Sequence, residues 1–154
     1  MSAHILDGKA LAQEMREEIR LESERLTEAG TKPGLAVVLV GEDPASVSYV
    51  RGKERALERA EMHQRDHHLP EGVSEEDLLT LVDELNRDSE VHGILVQLPL
   101  PKHIDTERVV AAIDPKKDVD GFHPVNLGRM LRGMECFYPC TPHGVVKILQ
   151  RGGV

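Results

Sequence analysis

The chain has 154 residues, 40% of them hydrophobic and 30% charged, and 27 acidic against 19 basic side chains leave a net charge of −8. That length holds one domain with a sizeable core, and the acidic balance, without any Lys/Arg cluster, offers no basic face to a nucleic acid. No apolar run approaches the roughly 18 residues of a membrane span, and MSAHILDGKA lacks the charged start and apolar middle of a secretory signal, so a cytoplasmic protein is expected.

Leu11, Met15, Ile19 and Leu26 recur at helical spacing, predicting a helix over Asp7–Ala29 that stops at Gly30. Leu35–Val40 (LAVVLV) is too short for a helix and shows no polar alternation, which fits a strand covered on both faces. Asp43-Pro44 reads as an N-cap followed by a first helical position, so a helix should run toward Ala60. His63–Leu69 is a candidate second strand. Ser74-Glu75-Glu76-Asp77 resembles a capping box and opens a helix with Leu78, Leu81, Val82 and Leu85 on one face.

Gly93–Leu98 (GILVQL) is another buried strand, closed by Pro99 and Pro101. Asp105–Ile113 predicts a short helix, Asp118–Gly121 a turn, and Thr141-Pro142 the start of a last helix through Ile148 and Leu149. Strands separated by helices predict an α/β fold, three-layered, with a mainly parallel sheet and helices on both faces. The last helix ends at Arg151, and Gly152-Gly153-Val154 reads as the start of a connection to a further strand.

Tyr49 and Lys53 are one helical turn apart on the helix after the first strand, so they share a face. Gln97 is the one polar side chain in GILVQL, and a buried amide must find partners. Asp120 lies in the turn beyond the next helix. Ligands in open α/β sheets bind at the carboxyl ends of the strands, where these four residues would meet. Each also has an ordinary structural explanation: a solvated Tyr–Lys pair, a glutamine bonded to a loop, an Asp-Gly turn. Cys136 and Cys140, with His143 behind them, lack a second ligand cluster, and His67 and His68 would point to opposite faces of a strand. No metal is expected, and the thiols should be free. Neither GxGxxG nor GxxxxGK[S/T] occurs.

Four blocks, VGEDPASVSYVRGK (Val40–Lys53), HGILVQLPLPKHID (His92–Asp105), IDPKKDVDGFHPVNLG (Ile113–Gly128) and PCTPHG (Pro139–Gly144), closely resemble the bifunctional methylenetetrahydrofolate dehydrogenase/methenyltetrahydrofolate cyclohydrolase family, in its order and with similar spacing. The resemblance implies one-carbon chemistry: hydrolysis of 5,10-methenyltetrahydrofolate to 10-formyltetrahydrofolate, and NADP-dependent oxidation of 5,10-methylenetetrahydrofolate. It implies that Lys53 is the catalytic lysine. To act near neutral pH such a lysine needs a pKa lowered by partial burial, and Arg51 or the substrate's own positive charge would push the same way. Gln97 would orient that lysine, Tyr49 would stack on the aminobenzoyl ring, and Asp120 would hydrogen-bond the pterin. Leu98 and Pro99 would wall the pterin site.

Residues 1–138 are then expected to be the folate-binding catalytic domain. Residues 139–154 would be the inter-domain helix and the start of a missing dinucleotide-binding domain. NADP would be held beyond residue 154, and the family's homodimer would depend mainly on that missing part. Tetrahydrofolate derivatives are the expected partners, with neither nucleic acid nor membrane. The alternative is a non-catalytic folate-binding fragment, or an interaction fragment whose absent half another chain supplies; an exposed face of Val145, Val146, Ile148 and Leu149 would favour the interaction fragment. One departure from the family's pattern is Glu61, where a glycine commonly ends the helix.

Overall fold

The computed structural model describes residues 5–153, so the outermost residues of the expected 1–138 and 139–154 units, Met1–His4 and Val154, lie outside the described residues. Helix α1 (Gly8–Glu28) is capped by the Asp7 carboxylate, which accepts from the Lys9 and Ala10 amides at 3.0 Å. Strand β1 (Gly34–Val40) follows, then α2 (Pro44–Arg59), β2 (His63–Leu69) and α3 (Glu75–Arg87). After them come β3 (Gly93–Val96), α4 (Thr106–Ala112), α5 (Pro124–Leu131) and α6 (Cys140–Arg151).

The sheet is parallel throughout, in the order β2-β1-β3, with Val38 level with His67 on one side and Val96 on the other. Alternate residues of β1 feed two cores. Ala36, Val38 and Val40 pack with Leu78, Val82 and Leu85 of α3 and Val109 of α4, whereas Val37 and Leu39 pack with Val50 and Leu57 of α2. A central strand covered on both faces must be apolar on both, and that is why LAVVLV carries no alternation. The expected three-layer α/β arrangement is present.

Four details differ from the sequence expectation. The apolar stripe of α1 joins neither core, and Ile19 and Leu21 are 47% and 51% exposed. Strand β3 ends at Val96, so Gln97 and Leu98 lie beyond it, although the Gln97 amide still donates to Val38 O at 2.8 Å. Pro99 and Pro101 have no N–H to extend the ladder. Helix α5 is one the sequence reading leaves out; His123 at its N-cap and Pro124 at its first position are the signals for it. Helix α6 begins at Cys140, one residue before the expected Thr141.

The end of α2 is strained at Glu61. Its φ is +55°, the single positive value among described non-glycine residues, and the Met62 amide reaches back to Leu57 O at 3.1 Å. The backbone takes the left-handed closing turn that glycine adopts freely, and a side chain is carried there at a cost.

Candidate active site

The two flanks of α2 face different neighbours. Ser46, Val50 and Leu57 form its buried stripe. On one side, Val47, Arg51 and Glu54 line a cleft of about 880 Å³ with His68, Leu69 and Glu71 at the β2 edge. Lys53, which shares a helix face with Tyr49, projects from the other side toward the chain leaving β3. There the Lys53 Nζ donates to Gln97 Oε1 at 2.8 Å, and the Gln97 amide nitrogen donates to Leu98 O at 2.7 Å. Gln97 is thus held at both ends of its amide, presenting a neutral oxygen to the lysine.

Lys53 and Asp120 act on one another, each partly buried. Burial holds Lys53 below the usual lysine range, while the charges of Asp120 and Cys140 oppose that shift. Burial raises Asp120 above the usual carboxylate range, with Lys53 opposing and Asp118 adding to the rise. Burial also raises Cys140, helped by Asp120 and opposed by Lys53. In all three, desolvation of the charged form is the largest cause. The expected contribution of Arg51 is corrected here: Arg51 stands on the far flank of α2 and lines the other cleft.

The remaining expected residues are placed less tightly. Tyr49 is 67% exposed. Leu98 supplies the carbonyl that holds Gln97, whereas Pro99 lines a neighbouring cleft of about 400 Å³ with Val40, Gly41, Asp43 and Glu71. Sequence reading missed Cys140 as a member of this cluster. Its Sγ lies 3.5 Å from Val119 O, beside Asp120, because the chain entering α6 packs on the 118–121 turn. Cys136 and Cys140 are both free thiols, and no His, Cys, Asp or Glu side chains among the described residues group as metal ligands.

The β1–α2 turn does not fit a dinucleotide's pyrophosphate. The turn between β1 and α2 reads Gly41-Glu42-Asp43-Pro44, and the Asp43 carboxylate already occupies the helix N-terminus, accepting from Ser46 N at 2.8 Å. A pyrophosphate there would meet two acids in place of a glycine-rich cradle. No helix among the described residues is long and apolar enough to cross a membrane.

The family model described as tetrahydrofolate dehydrogenase/cyclohydrolase, catalytic domain, matches residues 6–120, a span that holds Tyr49, Lys53, Gln97, Leu98, Pro99 and Asp120. The chain belongs to the tetrahydrofolate dehydrogenase/cyclohydrolase family. Among members of that family, the bifunctional protein FolD of Moorella thermoacetica is 54% identical over all 154 residues, which make up 55% of its own length. The crystal structure of the Campylobacter jejuni bifunctional enzyme FolD superposes with a TM-score of 0.95 at 45% identity, covering 97% of this chain and 54% of that one. The Trypanosoma brucei methylenetetrahydrofolate dehydrogenase-cyclohydrolase, solved with NADP cofactor and inhibitor, superposes at 0.94 with 35% identity over 100% of this chain and 54% of that one. The chain spans about half the length of the tetrahydrofolate dehydrogenase/cyclohydrolase relatives it matches.

Proposed function

We propose that this chain is the folate-binding catalytic part of a bifunctional enzyme and that the Lys53–Gln97–Asp120 cluster hydrolyses 5,10-methenyltetrahydrofolate to 10-formyltetrahydrofolate. The observation that carries the reading is the 2.8 Å contact between a partly buried lysine and a neutral amide oxygen. The substrate's methenyl carbon sits in a cationic N–CH–N centre. Water adds to that carbon and gives up a proton to neutral Lys53. The bond from the carbon to N5 then breaks as the added hydroxyl gives up its remaining proton to become the formyl oxygen. N5 takes the proton that Lys53 had received, the hydroxyl proton passes to the amine in its place, and the formyl group stays on N10. A lysine does this near neutral pH only if burial keeps part of it unprotonated. Gln97 orients the amine without adding the negative charge that would hold its proton.

In the same proposal Asp120 accepts hydrogen bonds from the pterin, Tyr49 stacks on the aminobenzoyl ring, and Leu98 and Pro99 wall the pterin side. A few placed polar groups in an otherwise apolar crevice suffice for a ligand of this size. Residues 1–138 form this catalytic unit, and 139–154 lead toward a dinucleotide-binding domain. The exposure of Val145 and Val146 on α6, 53% and 47%, supports that second part, whereas Ile148 turns inward against Gly8. NADP is the proposed cofactor for oxidation of 5,10-methylenetetrahydrofolate by the whole protein, bound outside the described residues. A cytoplasmic homodimer completes the proposal.

The bare α6 face also favours a second reading, in which the chain binds folate without turning it over until another surface closes the site. The decay of methenyltetrahydrofolate absorbance separates the two. Acceleration over the spontaneous rate that vanishes in Lys53→Met supports catalysis by this chain. Folate binding without acceleration supports the second reading, and no binding at all overturns both.

A further inference from the structure

Asp118 is 2% exposed, two residues before Asp120, and forms no ion pair among the described residues. Its carboxylate accepts three neutral N–H groups: the Phe122 amide at 3.3 Å, the His123 amide at 2.8 Å and the Asn126 side-chain amide at 2.9 Å. Burying an ionised carboxylate on neutral donors alone is costly unless those bonds are well placed. Here they are. They come from Phe122 just before α5, from its N-cap His123 and from Asn126 in its first turn, where a helix N-terminus also favours an anion.

What the carboxylate spans is the turn that carries Asp120. On the incoming side, Ile94 N donates to Lys117 O at 2.7 Å, tying the chain to β3. Gly121 N bonds back to Asp118 O at 3.2 Å, closing the turn with Asp120 near its apex. On the outgoing side no strand holds the chain, and the Asp118 carboxylate bonded to residues 122, 123 and 126 takes that place. Asn126 is itself 1% exposed, and its amide nitrogen also donates to Pro115 O at 2.9 Å, so the clamp reaches back across the loop.

We propose that Asp118 is a positioning residue: its buried carboxylate staples the 118–121 turn to the N-terminus of α5 and so fixes where the Asp120 carboxylate stands relative to Lys53. Asp118 has an electrostatic effect as well. The groups that act on Asp120 are Lys53 from α2 and Asp118 from its own turn, with Cys140 of α6 next to them; burial raises Asp120, Lys53 opposes, and Asp118 reinforces the rise. The binding arm of this proposal rests on the folate reading of the site; its titration arm does not.

The experiment compares the full chain with Asp118→Asn and Asn126→Ala. Asp118→Asn keeps the side chain's size, removes its charge and turns an NH2 toward at least one of the three donors. In the ligand-free protein, the ¹³C carboxyl titration of Asp120 should move to lower pH in Asp118→Asn. Amide exchange over residues 119–122 should speed up in both variants. With 5-formyltetrahydrofolate as the probe, the dissociation constant should rise about tenfold in Asp118→Asn.

A role confined to general stability would lower the melting temperature and leave the Asp120 midpoint and the affinity per folded molecule alone. That pattern overturns the proposal. If Asp118→Asn does not fold, Asn126→Ala decides alone, and unchanged exchange over 119–122 with unchanged affinity overturns it. If the wild-type chain does not bind the probe, the folate reading fails, and the titration and exchange still decide the role of Asp118.

Discussion

Lys53 and Gln97 are 44 residues apart in the chain and 2.8 Å apart in space, the lysine Nζ donating to the amide oxygen. That contact joins α2 to the chain leaving β3 across the carboxyl end of the sheet. It places an amine in a setting where burial, opposed by Asp120 and Cys140, holds its pKa down.

Removing the amine tests the chemistry directly. Lys53→Met should reduce hydrolysis of methenyltetrahydrofolate by about 10²- to 10⁴-fold, the usual contribution of a positioned acid or base. Binding of 5-formyltetrahydrofolate should change little. Stopped absorbance decay and a binding isotherm on the same preparation check both, and undiminished hydrolysis removes Lys53 from the mechanism.

The pH profile follows from the direction of the Lys53 shift. The lysine works as a base only when neutral, so the rate should climb with pH through its pKa and level off above it. Because burial lowers that pKa, the climb should lie below the ordinary lysine range. Gln97→Glu puts a carboxylate beside the ammonium and should displace the climb to higher pH. A profile identical to wild type in that variant dissociates Gln97 from the tuning of Lys53.

Asp120 should trade affinity against stability. Asp120→Ala is expected to weaken folate binding by roughly 10- to 100-fold, the loss of a charged hydrogen-bond acceptor. The folded-state pKa of Asp120 is raised above its unfolded value, so the folded chain holds this proton more tightly. Its contribution to stability is therefore largest below the unfolded pKa and is lost as pH rises through the folded one. At neutral pH the ionised group is a burden, and Asp120→Asn should melt higher than wild type there. The difference should shrink in acid, which thermal scans at two pH values would reveal.

Glu61 offers a stabilising change remote from the cluster. At φ +55° it holds a conformation that glycine adopts without penalty. Glu61→Gly should stabilise the chain by about 1 kcal/mol, or roughly 2–4 °C in melting temperature for a domain of this size. Hydrolysis should be unaltered. A lower melting temperature would mean that the Glu61 side chain makes a contribution larger than the strain.

Much of this molecule is legible along the chain, and the legible parts share a local cause. Asp43-Pro44 begins α2 and Ser74 caps α3, since caps are satisfied within a turn of their own position. The apolar runs of β1 and β3 announce a sheet covered on both faces because each residue's burial leaves its mark in place. The lysine, glutamine and acid of the cluster are visible in their motifs. Helix α5 is signalled only by His123 and Pro124 at its start, because Gly128 interrupts an already short pattern. The clamp formed by Asp118 is not displayed at all, since one buried acid reads like any turn residue.

By itself, then, the sequence determined the element order, the two-faced sheet and the family blocks, all written in short-range periodicity and capping. Tertiary structure alone decided which flank of α2 meets Gln97, because that depends on β3 lying on one side of β1 and β2 on the other. It also decided that the charges of Lys53 and Asp120 act on Cys140, and that Asp118 is enclosed by residues of α5 while Asp120 is only partly buried. Such convergence joins segments tens of residues apart, and their side chains meet only once parallel strands have been paired through helical crossovers.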